Sequence, residues 1–388
     1  MKKILFVCYG LGIGGIEKCL VNLINVLSTR EFDVDILLMN PEYDMLDQIK
    51  RPYRLLESSS LVMNTTNTIN DIQNRGGVLK HPIKTFIYYI FRLRNKFGFA
   101  PWKLFKRIKK EYDIAIAYSH HDFSPQYVIN KVNATRKIVW YHYGVYEASG
   151  RKYENDIKLY EQFDNVVAVS NDCAKSLRKA FPELGKKLIV LRNFCDIEDV
   201  KRKAVEFFPK TYHKDSIDIV TVGRLTPEKG ADLAIKVCIS LKEKGLKFCW
   251  HWVGDGNQRE VISNEIIKND ISDVFVLEGN QNNPYPYIKN ADIYVQPSYF
   301  EAYSTTITEA KVLYKPIVTT DVGGMRDQLN DKKNAYIVGI SAEELFNAIK
   351  KLIEHEEIRE SFSDNLKGKM YSFDYTLNEY KDQIFDFE

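Results

Sequence analysis

The sequence predicts an α/β protein made of two Rossmann-like domains. At 388 residues, the chain is longer than one hydrophobic core normally supports, so two domains are expected. Short apolar runs of strand length alternate with segments whose apolar residues recur at helical spacing, a pattern typical of parallel sheets. In addition, a strand, a glycine-containing turn and a helix follow one another twice, first at the N-terminus and again from residue 217.

The amino-acid composition is typical of a globular protein from a reducing compartment. Hydrophobic residues make up 45% and charged residues 28%, and a net charge of +3 gives no indication of nucleic-acid binding. The six cysteines show neither C-x-x-C nor metal-ligand spacing, which is typical of reduced core residues in a cytoplasmic protein. No run approaches the roughly 18 apolar residues that span a bilayer, so we expect any membrane contact to be peripheral, at the inner face of the cell membrane.

The first strand, residues 4–8, leads into a glycine-rich turn and a helix. Gly10, Gly12 and Gly15 satisfy the G-x-G-x-x-G fingerprint of dinucleotide-binding domains, so an NAD(P)-dependent oxidoreductase is one alternative. That function requires an acidic residue after the second strand, residues 33–39, whose acids come at its start instead. We therefore interpret the turn as an open surface whose backbone the phosphates or the sugar of a bound donor substrate can approach.

The second strand opens with a D-x-D motif, a pattern that can hold a metal ion. Asp33 and Asp35 are separated by one residue, so both carboxylates point to the same face of a strand that is predicted to be buried. We expect a coincidental match at the start of a strand, and no metal site is predicted.

Residues 58–80 are rich in Ser, Asn and Thr and are expected to form a loop. Residues 81–110 mix aromatic residues with Lys and Arg and contain no acidic residue. This composition suits peripheral contact with an anionic membrane surface. A basic helix packed on the domain is the main alternative, and no other feature of the sequence supports nucleic-acid binding here.

Two further strands, residues 113–118 and 137–141, end in histidine-containing turns. Ligands of open parallel sheets bind outside the carboxyl ends of the strands, so we expect His120 and His142 to face a cleft, with a functional role favoured for His142. Adjacent histidines on an extended segment point apart, which argues against a metal site at His120 and His121.

Strands at 166–169 and 188–191 complete the first domain, with Ser170 as the N-cap of the helix between them. The segment 198–216 is charged and lacks periodicity, and it is expected to be the linker. We therefore place the first domain at residues 1–200 and the second at residues 201–373.

The second domain opens with a strand at 217–222, which is followed by Gly223, Arg224 and Lys229 ahead of an amphipathic helix. The guanidinium of Arg224 is a planar fork and the ammonium of Lys229 is a point charge. Together they can converge on a diphosphate.

One stretch of the second domain is the most informative. A buried strand, residues 291–296, is followed by Glu301, a helix at 305–314 and a strand that Pro316 permits only at its first residue. The backbone N–H groups at the helix start can bind a phosphate. The carboxylates of Glu301 and Glu309 can each accept two hydroxyl donors, which suits the vicinal diols of a sugar and a ribose.

Glu301 and Glu309, with seven residues between them, resemble the E-x7-E signature of the retaining family 4 glycosyltransferases, which have the GT-B fold of two facing Rossmann-like domains. Further similar elements are Lys315-Pro316-Ile317-Val318, Gly223-Arg224-Leu225 with Lys229-Gly230, Gly14-Gly15-Ile16-Glu17, Trp140-Tyr141-His142 and Asn193-Phe194-Cys195-Asp196. The chain departs from the family at Ala302, where relatives usually carry Gly.

The resemblance implies a hexosyltransferase that moves a hexose or N-acetylhexosamine from a nucleotide sugar, expected to be a UDP-sugar, to a saccharide or lipid-linked saccharide in bacterial surface polysaccharide synthesis. It implies catalytic roles for Glu301, His142, Arg224 and Lys229, without a metal or other cofactor. The implied nucleotide-sugar site comprises Gly14, Gly15, Gly223, Arg224, Lys229, Gly254, Asp255, Gly279, Asn280, Ser304, Thr305, Thr306 and Glu309. A C-terminal helix, residues 374–388, is expected to cross back onto the first domain. A sugar-nucleotide epimerase of the same fold is the remaining alternative.

Overall fold

The computed structural model describes residues 1–12, 14–40, 42–56, 106–120, 123–147, 149–212, 215–368 and 373–385. The predicted loop at 58–80, most of the basic aromatic segment and His121 lie outside these residues. Within the described part of the chain, no helix is long and apolar enough to cross a membrane.

The first domain is built on seven parallel strands in the order β3-β2-β1-β4-β5-β6-β7. The strands are β1 Lys2–Cys8, β2 Phe32–Leu38, β3 Arg54–Leu56, β4 Glu111–Ala117, β5 Asn133–Tyr141, β6 Asn165–Ala168 and β7 Leu188–Val190. The described helices are α1 Gly15–Val26, α2 Ser124–Lys131, α3 Gly150–Tyr160 and α4 Asn171–Ala180. Ser170 caps α4 as predicted, since its side chain accepts a hydrogen bond from the backbone N–H of Cys173.

The second domain is built on six parallel strands in the order β10-β9-β8-β11-β12-β13. The strands are β8 Ile217–Val222, β9 Phe248–Val253, β10 Phe275–Gly279, β11 Ile293–Gln296, β12 Ile317–Thr320 and β13 Ala335–Val338. A helix α5, Ile197–Lys203, precedes this sheet. The helices that follow are α6 Ala231–Glu243, α7 Arg259–Lys268, α8 Tyr285–Asn290, α9 Thr305–Val312, α10 Met325–Gln328, α11 Ala342–Glu354, α12 Glu356–Lys367 and α13 Phe373–Tyr380.

Both sheets place their first strand beside their fourth, which is the Rossmann strand order. Strand order reverses between β1 and β4 in the first domain and between β8 and β11 in the second. The chain leaves a crevice at such a switch point, because the connections on its two sides run in opposite directions. The prediction of two Rossmann-like domains is confirmed.

The prediction of an unpatterned linker at 198–216 is wrong at its start. Asp196 caps α5 by accepting a hydrogen bond of 2.9 Å from the backbone N–H of Asp199. Ile197 and Val200 are buried in the core of the second domain, and Tyr212 packs in the same cluster. The charged residues between these apolar positions conceal the helical spacing in the sequence.

The C-terminal segment packs against the first domain. Tyr380, Ile384 and Phe385 are fully buried in the core that also contains β1 and β5. The ammonium of Lys2 donates a hydrogen bond of 2.7 Å to the carbonyl oxygen of Phe385, which brings the two ends of the described chain together.

The D-x-D motif is part of a structural ion-pair cluster. Asp35 is fully buried, and its carboxylate accepts hydrogen bonds from Lys110 Nζ at 3.0 Å and from Tyr112 OH at 2.7 Å. Lys110 Nζ also lies 3.0 Å from Asp33 Oδ2. Lys110 therefore pairs with β2, which corrects its inclusion in the predicted membrane-facing segment 81–110.

A buried histidine ties three neighbouring strands of the second sheet together. His251 on β9 lies 3.2 Å from the Asp218 carboxylate on β8 and 2.9 Å from the Glu278 carboxylate on β10. Burial alone lowers the pKa of His251, but hydrogen bonds with Asp218, Cys249 and Glu278 outweigh it and raise the pKa to about 10. The imidazolium is therefore charged at neutral pH and bridges two carboxylates.

We expect His251→Gln to destabilise the protein by roughly 3 kcal/mol at neutral pH, because removing one partner from a buried ion pair costs about that much. The folded-state pKa of about 10 lies above the ordinary value of 6.5, so the stabilisation is complete below pH 6.5 and is lost as the pH rises through 10. Urea unfolding at pH 6, 8 and 10 should therefore show a shrinking difference between wild type and variant. The exposed His355→Gln is the control, and a difference that does not shrink with pH would contradict this assignment.

Candidate active site

The switch points of the two sheets carry the polar turns that the sequence singles out. In the first domain, the glycine turn follows β1 and His120 follows β4. In the second domain, Arg224 follows β8 and Glu301 follows β11. Ligands of doubly wound sheets bind at these crevices, so each domain presents one candidate binding face.

The two candidate faces meet at the contact between the domains. A side-chain carbon placed on Gly15 would lie 3.2 Å from Thr305 Oγ1, at the first residue of α9. One placed on Gly144, in the turn after β5, would lie 3.0 Å from the carbonyl oxygen of Glu301. Turns of the first domain therefore close over the start of α9 and over the residues that precede it.

The Glu301 carboxylate is buried at this contact, with only 7% of the residue exposed. Its Oε1 accepts hydrogen bonds from Lys229 Nζ at 2.7 Å, Ser298 Oγ at 2.9 Å and Gln296 Nε2 at 3.1 Å. A buried carboxylate is stable only when it is paired and hydrogen-bonded, and Lys229 supplies the charge. All three of these donors reach the same oxygen, Oε1.

A turn after β12 supports the backbone of Glu301. Gly323 has a φ of +46°, and a side-chain carbon there would lie 1.7 Å from the carbonyl oxygen of Glu301, so only glycine fits. The backbone N–H of Gly324 donates a hydrogen bond of 3.2 Å to the carbonyl oxygen of Ala302. Ala302, where relatives usually have glycine, packs against the core of the first domain.

Arg224 and Lys229 face different partners. Lys229 binds Glu301, whereas Arg224 has a 68% exposed side chain that lies 3.2 Å from the Glu228 carboxylate. Burial raises the pKa of Glu228, but hydrogen bonding from Thr226 and the charges of Arg224 and Lys229 hold it below its ordinary value. The structure thus brings Lys229 to the buried carboxylate and leaves Arg224 in contact with solvent.

The start of α9 and the second motif carboxylate lie at the same contact. Ser304 caps α9 by accepting a hydrogen bond of 3.3 Å from the backbone N–H of Ile307, and Thr306 Oγ1 donates to Gln296 Oε1 at 3.1 Å. Glu309 is 3% exposed, and its Oε1 accepts a hydrogen bond of 2.6 Å from Lys18 Nζ on α1. Both glutamates of the motif are therefore buried.

Three glycine turns of the implied nucleotide-sugar site, at Gly223, Gly254 and Gly279, lie together at the carboxyl ends of β8, β9 and β10. The N–H of Gly254 donates a hydrogen bond of 2.8 Å to the carbonyl oxygen of Gly279, and Trp252 Nε1 donates one of 2.9 Å to that of Gly223. The Asp255 carboxylate accepts from Gly256 N and from Arg259, so it shapes its own turn. Asn280 is exposed beside them.

The two histidines of the first domain are close together. His142 is 7% exposed, and its backbone N–H donates a hydrogen bond of 3.3 Å to His120 Nδ1. The ring of His120 stacks on Tyr141 with centroids 3.9 Å apart, and that of His142 lies 4.9 Å from Tyr118. Gly144, two residues after His142, contacts Glu301, so this strand end reaches the second domain.

Sequence analysis missed a cavity of about 980 Å³ at the carboxyl ends of β1, β4 and β5, beside α2 and α3. Its volume is that of a small-molecule site. Its aromatic lining residues are Tyr9, Tyr118, His120, Phe123, Tyr141, Tyr143, Tyr146 and Tyr160. These residues come from separate turns and helices, so no local motif marks the cavity in the sequence.

Two carboxylates flank the glycine turn: Glu17, which the sequence analysis included in Gly14-Gly15-Ile16-Glu17, and Glu42, which it missed. A side-chain carbon on Gly12 would lie 3.1 Å from a Glu42 carboxylate oxygen, and one on Gly14 would lie 2.1 Å from Glu17 Oε2. Burial raises the pKa of Glu17. Carboxylates beside Gly12 and Gly14 disfavour a pyrophosphate at these two glycines, so of the two ligand groups expected at this turn the sugar suits it better than the phosphates. Glu42 itself could have been noticed in the sequence, because it is an acidic residue four positions after the end of β2.

Two family models together match most of the chain. Residues 13–199 match the model described as Glycosyltransferase Family 4, and residues 203–369 match the model described as Glycosyl transferases group 1. The chain belongs to the family 4 glycosyltransferases. The enzyme is therefore a glycosyltransferase, and the oxidoreductase and epimerase alternatives are set aside.

Relatives support the glycosyltransferase assignment over the full length. The N-acetylgalactosamine-N,N'-diacetylbacillosaminyl-diphospho-undecaprenol 4-alpha-N-acetylgalactosaminyltransferase of Campylobacter jejuni is 26% identical over 377 residues, 96% of each chain. The structure of HepE from Anabaena in complex with UDP and glucose matches with a TM-score of 0.73 at 15% identity, covering 100% of both chains. WaaG, a glycosyltransferase involved in lipopolysaccharide biosynthesis, matches with a TM-score of 0.64 at 15% identity, covering 98% of this chain and 99% of that one. The GT-B fold is confirmed.

In this glycosyltransferase, we expect Gly323→Ala to lower the rate of sugar transfer by about a hundredfold. The added methyl overlaps the carbonyl oxygen of Glu301, and a displacement of about 1 Å from the reactive geometry has an effect of that size. Initial rates at saturating donor measure the loss, with circular dichroism as the check on folding. Gly368→Ala is the matched control, because Gly368 has an ordinary φ of −67° and its nearest neighbour would be 3.5 Å away. Equal rates for the two variants would show that the turn does not position Glu301.

Proposed function

We propose that the enzyme is a retaining glycosyltransferase that moves a hexose or N-acetylhexosamine from a UDP-sugar to a saccharide or lipid-linked saccharide in bacterial surface polysaccharide synthesis. The observation that carries the proposal is the buried Glu301–Lys229 pair. It lies at the N-terminal end of α9, where the binding faces of the two domains meet.

The second domain has the charges that a nucleotide diphosphate requires. In the proposal, the base lies beside Gly254 and Gly279, and the diphosphate lies between Arg224, Lys229 and the start of α9. The positive end of the helix dipole and the two cations stabilise the charge that develops on the departing diphosphate. Arg224 is exposed and its partner Glu228 is on the surface, so the guanidinium can turn towards the donor at little energetic cost.

Glu301 orients the transferred sugar. Lys229, Ser298 and Gln296 hold its Oε1, so Oε2 is the atom that accepts a sugar hydroxyl. We assign no covalent nucleophile. The bond between the anomeric carbon and the phosphate oxygen breaks, the acceptor oxygen bonds to the same face of that carbon, and the acceptor's proton passes to the departing phosphate. Glu309 binds the ribose, a role that rests on the resemblance of the motif.

The acceptor enters from the first domain. The cavity of about 980 Å³ is large enough for a saccharide unit, and its aromatic rings suit the apolar faces of sugars. In the chain, His142 follows Tyr141, which lines this cavity, and precedes Gly144, which lies against Glu301, and we assign it the role of orienting the acceptor hydroxyl. The Campylobacter jejuni relative is named for a diphospho-undecaprenol-linked saccharide acceptor, which favours the lipid-linked class.

The proposal includes peripheral contact with an anionic membrane through residues 81–110, on the cytoplasmic face. It rests on the aromatic and basic composition of that segment, of which residues 106–110 are described. Lys110 is excluded from the contact because it pairs with Asp33 and Asp35.

We expect Arg224→Ala and Lys229→Ala each to lower turnover by about tenfold to a thousandfold, the range for losing one preorganised charge donor. Lys229→Ala should have the larger effect, because it also leaves the buried Glu301 carboxylate without its cation. Steady-state kinetics with a UDP-sugar measure both variants. Lys268→Ala, which removes a 73% exposed lysine on α7, is the control. Unchanged turnover in folded Arg224→Ala and Lys229→Ala would remove both residues from the diphosphate site.

Stereochemistry and metal dependence test the mechanism itself. A thermal-shift screen across UDP-, GDP- and ADP-sugars identifies the donor, because a ligand that binds only the folded state raises the melting temperature. We expect a UDP-sugar to raise the melting temperature. We expect the NMR spectrum of the first-formed product to show the donor's anomeric configuration. We also expect activity to survive EDTA, because Arg224, Lys229 and the N-terminus of α9 neutralise the charge of the diphosphate. Inversion, a sugar covalently attached to Glu301 by mass spectrometry, or loss of activity in EDTA would overturn the corresponding part of the mechanism.

A further inference from the structure

An ion pair between the domains holds the carboxylate that we propose for ribose binding. Lys18 on α1 and Glu309 on α9 are 291 residues apart in the chain, yet Lys18 Nζ lies 2.6 Å from Glu309 Oε1. The Glu309 side chain is 4% exposed and that of Lys18 is 26% exposed. This contact exists only when the first and second domains are together.

The surroundings of Lys18 keep it charged. Its Nζ lies 4.4 Å from the centroid of the Tyr285 ring on α8, within the range of a cation–π interaction. Burial lowers the pKa of Lys18, but the charge and hydrogen bond of Glu309, together with Tyr285, raise it well above its ordinary value. Lys18 is therefore a permanent cation facing one oxygen of the carboxylate.

The other oxygen of Glu309 is buried without a donor. Among the described residues, none donates a hydrogen bond to Oε2. A buried acceptor without a partner is costly, so Oε2 is expected to accept a hydrogen bond from a group that is not among the described residues, such as a hydroxyl of a bound ligand. The cavity beside Glu309 has a volume of about 10 Å³, which admits a single group of the size of a hydroxyl, and it is lined by residues of both domains, among them Asn22, Asn193 and Thr305.

We propose that Lys18 is a positioning residue for the ribose of the nucleotide-sugar donor. It fixes Glu309 through Oε1 and directs Oε2 to a ribose hydroxyl, so the first domain completes a nucleotide site that otherwise belongs to the second. This inference rests on the proposed function, in which Glu309 binds the ribose.

The proposal is tested by comparing how tightly the protein binds a nucleotide whose ribose has its 2′ and 3′ hydroxyls with how tightly it binds one whose ribose lacks them. Isothermal titration calorimetry measures the binding of UDP and of 2′,3′-dideoxy-UDP to the wild type, Lys18→Met, Lys18→Arg and the control Lys236→Met. Lys236 is a 62% exposed lysine on α6 that forms a surface ion pair with Asp232, so the control makes the same substitution away from the site. If Lys18→Met does not fold, Lys18→Gln replaces it, since Gln keeps an N–H donor without the charge.

We expect the wild type to prefer UDP over the dideoxy nucleotide. Lys18→Met should weaken UDP binding by about tenfold to a hundredfold, the range for a hydrogen bond to a charged group, and should bring the UDP to dideoxy-UDP ratio towards one. Lys18→Arg should restore most of the preference, and Lys236→Met should match the wild type.

Two results overturn the inference while leaving the donor assignment intact. One is a ratio of UDP binding to dideoxy-UDP binding in Lys18→Met that equals the wild-type ratio. The other is tighter UDP binding by that variant, which would mean that Lys18 competes with the ribose for Glu309. By contrast, a wild type that binds UDP and dideoxy-UDP equally removes the ribose role of Glu309 and this inference with it, and a wild type that binds neither nucleotide removes the UDP-sugar donor from the proposed function.

Discussion

Buried negative charge is the constraint on which the arrangement between the domains depends. Glu301 and Glu309 both lie out of water where the domains meet, and each is held by a lysine. Lys229 comes from the same domain as its partner, and Lys18 comes from the other domain. Removing one partner of such a pair costs about 3–5 kcal/mol, so the two lysines determine where the carboxylates can point. The contact between the domains is consequently a polar one with a defined geometry.

The two switch points have the same topology but opposite chemistry. Glu17 and Glu42 flank the glycine turn of the first domain, next to an aromatic cavity. The face of the second domain has Arg224, Lys229 and the positive end of α9. An uncharged saccharide suits the first environment and a diphosphate suits the second. One strand order, used twice, therefore presents two faces of different chemistry because the turns differ.

Sequence patterns predicted the features that depend on residues close together in the chain. Apolar periodicity indicated both sheets, and local capping chemistry indicated Ser170. The E-x7-E motif indicated Glu301 and Glu309, and the structure buries both of them where the domains meet. The sequence could not predict the pairing of Lys18 with Glu309 or that of Lys110 with Asp35, because each joins residues brought together only by the tertiary fold. The aromatic cavity was missed for the same reason.

The return of the C-terminal segment to the first domain has a mechanical consequence. The second domain is covalently joined to the first twice, once before α5 and once between α12 and α13. A body attached at one point can swivel in any direction, whereas a body attached at two points turns about the line that joins them. The hydrogen bond from Lys2 to Phe385 anchors the second attachment beside β1. The two attachments therefore limit how far the second domain can move away from the first, and with it how far Lys18 can separate from Glu309.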